Sequence, residues 1–202
     1  MSIIDDTWFD GTQMQSDLTA ACGSTPSLTQ LSLIARATDG FLVVQGSDAG
    51  MTPFDDADIS AIFVTFADTV SQYPLADTTT LRTAVLSALA GQWTAMSAIG
   101  DNPFDETVDA PARMIFHVHI PGWGFEPARI KFKSATPSGE FCGLSWLTLN
   151  GASCEPFSFE LGATCQQAGD YEFALFIQAS QDAGNQSTRV IIDPKIKVIP
   201  PR

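Results

Sequence analysis

Positive charge is what this sequence has least of: ten Lys and Arg stand against 23 Asp and Glu in 202 residues, a net charge of −13. Such a field repels phosphate backbones and anionic lipid, so neither nucleic acid nor a membrane is expected as a partner. No apolar run approaches the roughly 18 to 20 residues that span a bilayer. The start, MSIIDDTWFDG, is acidic and lacks the basic segment and apolar stretch of a secretory signal, which reads as a soluble, cytoplasmic protein. Four cysteines, Cys22, Cys142, Cys154 and Cys165, form no C-x-x-C and are too sparse for a disulfide scaffold. Reduced thiols are the expectation, with one bridge among Cys142, Cys154 and Cys165 open in an oxidising compartment.

Motifs of known chemistry are missing too. There is no G-x-G-x-x-G and no G-x-x-x-x-G-K-[ST], so no nucleotide and no other cofactor is expected. GLSWL (143–147) begins like a nucleophile elbow but ends in Leu147 where glycine is needed, and its flanks read as strand. Cys22 has no histidine in its half of the chain to activate it. FDDADIS (54–60) lacks the glycine and the closing Glu of an EF-hand loop, and paired acids such as Asp5 and Asp6, or Asp55, Asp56 and Asp58, read as capping groups.

What is present is ordinary globular material, 45% hydrophobic, with an uneven charge layout. Residues 1–108 carry 14 acids against two bases, Arg36 and Arg82, a net of −12; residues 109–202 come to −1. Thirteen of the 14 acids are Asp, poor in helix interiors and good at caps and turns, which places the charge at element ends.

QLSLIARA (30–37) and FLVVQG (41–46) flank Asp-Gly and predict a hairpin; the competing reading is a helix begun by Thr25 and Pro26 and ended by Gly40. Ile59, Ile62, Phe63, Phe66 and Val70 then fall on one helical face that stops before Pro74. A second helix follows Asp77, with Leu81, Val85, Leu89, Trp93 and Met96 as its stripe. GDNPFDETVDAPA (100–112) has no periodicity and reads as a connection. Strand patterns occupy the rest: 113–120, 128–134, 141–149, 156–161, 170–178 and 189–199.

The expected fold class is therefore α+β: an acidic hairpin-plus-helix-pair unit over 1–100, a linker over 101–112, and an antiparallel β-sandwich over 113–202 that folds on its own. Tyr171, behind Gly-Asp at the entry of an apolar strand, resembles a tyrosine corner, with Phe173 where an antibody domain has its second cysteine and Trp146 as the core tryptophan. That pattern implies an immunoglobulin-like sandwich.

Two groups of side chains are candidates for function. His117 and His119, the only histidines, share one face of their strand roughly 6 to 7 Å apart, a spacing that chelates a metal if a third ligand such as Glu126 or Glu172 joins them. The competing reading is a wet strand surface. Arg129, Lys131 and Lys133, with Lys195 and Lys197, form two cationic strand faces, read either as edge protection or as a surface for a partner. The functional expectation is a non-enzymatic protein acting through contacts with a protein partner or with copies of itself. The alternative is a metal-binding protein or metal-dependent enzyme using the histidine pair.

Overall fold

Asp-Gly and the two apolar runs do make the hairpin. In the computed structural model, which describes residues 12–23, 25–96, 105–133, 139–179, 188–193 and 195–200, strands β1 (Leu28–Ala37) and β2 (Gly40–Ser47) pair antiparallel from Gln30↔Ser47 to Ala37↔Gly40. A short helix, α1 (Thr12–Thr19), precedes them. Asp5, Asp6 and residues 101–104 lie outside the described residues.

The two expected helices follow. Helix α2 (Asp56–Gln72) opens on a capping box in which Asp55 accepts from the Ala57 and Asp58 amides and Asp58 bonds back, and it ends at Tyr73, before Pro74. Helix α3 (Thr78–Ala88) is capped by Asp77, while Asp39 at the hairpin tip accepts from the Thr78 amide at 2.8 Å and ties the turn to the helix start. Asp48, nearly buried, holds the Thr29 and Phe54 amides. The acidity of this half thus sits largely on backbone N–H groups, as its aspartates suggest. Trp93 and Met96 fall beyond the end of α3; the indole closes the core against β2, where a Cβ on Gly46 would collide with it.

Strands β3 (Thr94–Ala95) and β4 (Glu106–Val108) come next, then β5 (Ala112–His119), β6 (Trp123–Phe132) and β7 (Phe141–Trp146). The remaining strands are β8 (Thr148–Leu149), β9 (Ala152–Ser153), β10 (Ser158–Ala163), β11 (Gly169–Ala179), β12 (Arg189–Ile192) and β13 (Lys195–Val198). One sheet runs β3-β2-β1-β5-β10-β7; a second has β11 at its centre, flanked on one side by β6 and on the other by β12 and β13, with β4 beyond β13. Strand β4 lies inside the stretch expected as a linker, where three residues are too few to show a period.

Three layers result. Helices α2 and α3 cover one face of the six-stranded sheet, burying Leu31, Leu33, Val44 and Ile115 against Ile59, Ile62, Phe66, Leu81 and Val85. The second sheet covers the other face through a phenylalanine core: Phe116 and Phe159 stack at 4.9 Å, Phe132 and Phe141 at 4.6 Å, and Phe173 packs on Phe116 and Phe132. Covered on both sides, β1 is buried at every residue from Thr29 to Ala35.

Two features differ from the all-antiparallel sandwich expected of 113–202. Strand β1 pairs in parallel with β5, from Leu28↔Ala112 to Ala35↔His119, so the acidic and β-rich segments share one sheet; β4 and β13 are also parallel. Tyr171 does donate its hydroxyl to the Gln167 carbonyl at 3.2 Å, but Trp146 stands only partly buried at the rim. Cys22 and Cys142 form a disulfide that joins the end of α1 to β7, a pair 120 residues apart that no spacing rule reveals. No helix among the described residues is long and apolar enough to cross a membrane.

Candidate functional site

Alternation along β5 turns Met114, Phe116 and Val118 into the phenylalanine core and Arg113, Ile115, His117 and His119 to the opposite face. That face is not wet. Helix α2 crosses it, and the Phe63 ring stacks on His117 at 4.0 Å between centroids, 13° from parallel. Phe66 meets both imidazoles edge-on, at 6.2 and 6.4 Å. Ser158 stands opposite His117 in the β5·β10 register, its Oγ 2.8 Å from Nδ1. His117 is 9% exposed and Ser158 fully buried. The strand-surface reading fails because alternation assigns a side chain to a face and says nothing of what covers it.

Beyond this point lies a hollow of about 440 Å³ walled by Phe63, His117, His119, Ile120, Cys154 and Phe157. A smaller one, about 160 Å³, adjoins it across Gly122 and Phe157 and is walled by Trp123 and Pro156. The close approach of β6 to the turn before β10 needs Gly124, since a Cβ there would come within 2.7 Å of the Pro156 ring. Phe157, on the ridge between the hollows, is 47% exposed. Among the described residues, no Asp, Glu, Lys or Arg lines either hollow.

The electrostatics favour neutral groups. Burial, with His119 nearby, pushes the His117 imidazole down to about 3. His119 is also lowered by burial, against the opposing pull of Asp68. Burial raises the Cys154 thiol, which therefore stays protonated and is a poor nucleophile. Ser158 meets the wrong nitrogen for a hydrolase pair, and no carboxylate orients the ring. The hollow is walled by aromatic side chains and by two imidazoles whose charged form burial disfavours. For a metal, Ser158 already occupies Nδ1 of His117, and no group of three or more His, Cys, Asp or Glu among the described residues is placed to hold an ion.

Because an unfolded histidine takes up a proton near its ordinary 6.5, stability contributed by a neutral buried His117 is complete above that pH and is lost as pH falls toward 3. The difference amounts to about 4 kcal/mol at the acid end. Urea melts between neutral and acid pH should show His117→Leu losing less stability on acidification than the native chain; equal losses would refute this assignment.

The cationic strands are engaged within the chain. Lys133 pairs with Asp193 at 2.6 Å and Glu172 at 3.2 Å, and Lys195 with Asp105 at 3.7 Å. Lys197 stands opposite Asp170 in the β11·β13 register. Lys131 and Arg189 lie over the Phe176 ring, and Arg129, which has a positive φ, covers Trp146 at 4.8 Å. The alternation of Asp170 and Glu172 on β11 was the available signal, once β13 is known to lie beside it. Phe63, Ser158 and Phe157 had none, because their proximity to the histidines comes from tertiary packing alone. The sequence matches no protein-family model and no curated protein.

Proposed function

We propose that the protein is a non-enzymatic binding protein acting through contacts with a protein partner, and that its contact site is the double hollow beside His117 and His119. The observation that carries this reading is Phe157, a half-exposed aromatic set between two concave apolar surfaces that, among the described residues, hold no ionic side chain. Aromatic anchors in desolvated hollows are where interfaces concentrate their energy. The group received is an uncharged aromatic or aliphatic side chain, because the walls are apolar and an ion buried against them would lose its hydration. Arg129, Lys131, Lys133, Lys195 and Lys197, read from the sequence as a partner surface or as edge protection, are less suited to lead this contact, since Lys133 and Lys195 are already paired with carboxylates of the same chain.

N-acetyl-tryptophanamide serves as a side-chain mimic. Titrated into the labelled protein, it should shift the His119 and Trp123 resonances with millimolar affinity, and Phe157→Asp should abolish the shifts. Absence of shifts in the native chain, or equal shifts in the variant, would remove the groove from consideration.

A further inference from the structure

Strand β7 closes one end of the six-stranded sheet: β10 pairs with one of its edges, and among the described residues no strand pairs with the other. An edge of this kind leaves backbone N–H and C=O groups open to pairing with another chain. The segment just after α1 lies along it. The Gly143 N–H donates to the Ala20 carbonyl at 2.8 Å, and Cys22, two residues further on, is bonded to Cys142. The bridge has a fitted seat. A Cβ on Gly162 of β10 would collide with the Cys22 sulfur, and one on Gly143, which has a φ of 68°, would come within 3.3 Å of it.

Apart from the bridge, α1 is weakly equipped to hold its place. Of its described side chains only Leu18 is buried, in the phenylalanine core. The helix has eight residues, no acid in its first turn and no base in its last. Helices shorter than about 12 to 15 residues are marginal in water unless packing holds them. Strand β1 does not share this dependence, because Ser27, just ahead of it, donates both its N–H and its hydroxyl to the Pro111 carbonyl, and β2 and β5 flank it on either side.

We propose that the Cys22–Cys142 bond is a reducible latch that holds α1 and residues 20–22 against the edge of β7, and that its reduction by a dithiol releases this segment while both sheets stay folded. Cys142 is 2% exposed, whereas Cys22 is half-buried and has exposed neighbours in Ala21 and Gly23, so the Cys22 sulfur is the approachable end. A thiolate of the dithiol attacks that sulfur; the S–S bond breaks, and the Cys142 sulfur leaves with the electron pair and takes up a proton. The second thiol of the reductant then attacks its own sulfur in the mixed disulfide. This step frees Cys22 as a thiol and leaves the reductant oxidised to a cyclic disulfide. With the bond open, α1 is too short to persist undocked, and the Gly143 N–H is returned to a bare strand edge.

Cys154 and Cys165 are free thiols and serve as the internal reference. Alkylation of the unfolded native chain without reductant should label these two alone, and after dithiothreitol Cys22 and Cys142 as well. Hydrogen exchange then reads the release. On adding dithiothreitol to the folded chain, the amides of residues 16–20 and of Gly143 should exchange at least about tenfold faster, while those of β1 and β5 keep their protection. A chain carrying both Cys22→Ser and Cys142→Ser should show the fast pattern without reductant. Labelling of all the cysteines before reduction, exchange in α1 that reduction leaves unchanged, or loss of protection in β1 and β5 together with α1 would each overturn the proposal.

Discussion

Residues 113–202 expressed alone are expected to give no cooperative melt and poorly dispersed amide spectra. The fragment keeps nearly all of the second sheet but strips β5 of its parallel neighbour along seven paired positions, from Thr29↔Arg113 to Ala35↔His119. Its outer face, with Ile115, His117, Leu147 and Leu149, loses α2 and α3, and the phenylalanine core loses Ile34 and Val43. Each large apolar side chain returned to water forfeits about 1.5–3 kcal/mol, against a net stability of about 5–15 kcal/mol for a whole domain. Three or four such losses are enough. The fragment also leaves Cys142 without Cys22. A sharp thermal transition with native-like near-ultraviolet ellipticity would instead establish the sandwich as a separate folding unit, as the sequence pattern suggests.

The second large effect is expected at Glu140, which is 1% exposed. Its carboxylate accepts from the backbone amides of Cys165, Gln166 and Gln167 at 2.9 to 3.0 Å. Thr164 Oγ1 lies 3.4 Å from Oε2. Those amides belong to a turn in which Cys165 has a positive φ of 56°, and the turn in turn supplies the Gln167 carbonyl that receives the Tyr171 hydroxyl. Glu140→Ala leaves three N–H groups unpaired, that of Cys165 buried and those of Gln166 and Gln167 part-buried, for a total of about 2–4 kcal/mol once the latter two turn outward to water. Glu140→Gln should be less damaging, because its amide oxygen can keep the Gln166 and Gln167 N–H groups while only the Cys165 N–H meets the amide nitrogen donor to donor. Urea denaturation of the two variants decides it. Losses below about 1 kcal/mol would mean that the turn holds itself.

The contrast between these two sites shows which kinds of structure a sequence displays. Helix α2 was readable because periodicity, Asp55 and Pro74 all point the same way along the chain. The hairpin and the strands of the second half were readable for the same reason: turn chemistry and alternation are local. Glu140 and Glu106 were not, since a carboxylate whose partner lies 25 or more residues away, as the Cys165 amide does from Glu140 and the Ser32 hydroxyl from Glu106, has the same neighbours in sequence as one bathed in solvent. The histidine pair is the intermediate case. Its face was evident, but the burial that silences its charge comes from Phe63 and Phe66, some 50 residues earlier. The Cys22–Cys142 bridge and the placement of β4 beside β13 belong with the carboxylates: both depend on elements brought together only by the finished topology.

The parallel pairing of β1 with β5 also bears on how the chain is made. Strand β2 follows β1 within two residues, and their hairpin closes in about microseconds. The other flank of β1 waits for Ala112, which is 84 residues later. At ribosomal rates of about 5–20 residues per second, that is a delay of about 4 to 17 seconds. During this interval a strand destined for the middle of a sheet is an open edge, rich in leucine and able to accept any passing strand. The high aspartate content of the same segment then has a use before folding is complete: nascent chains with a net charge near −12 repel one another while that edge is unpaired.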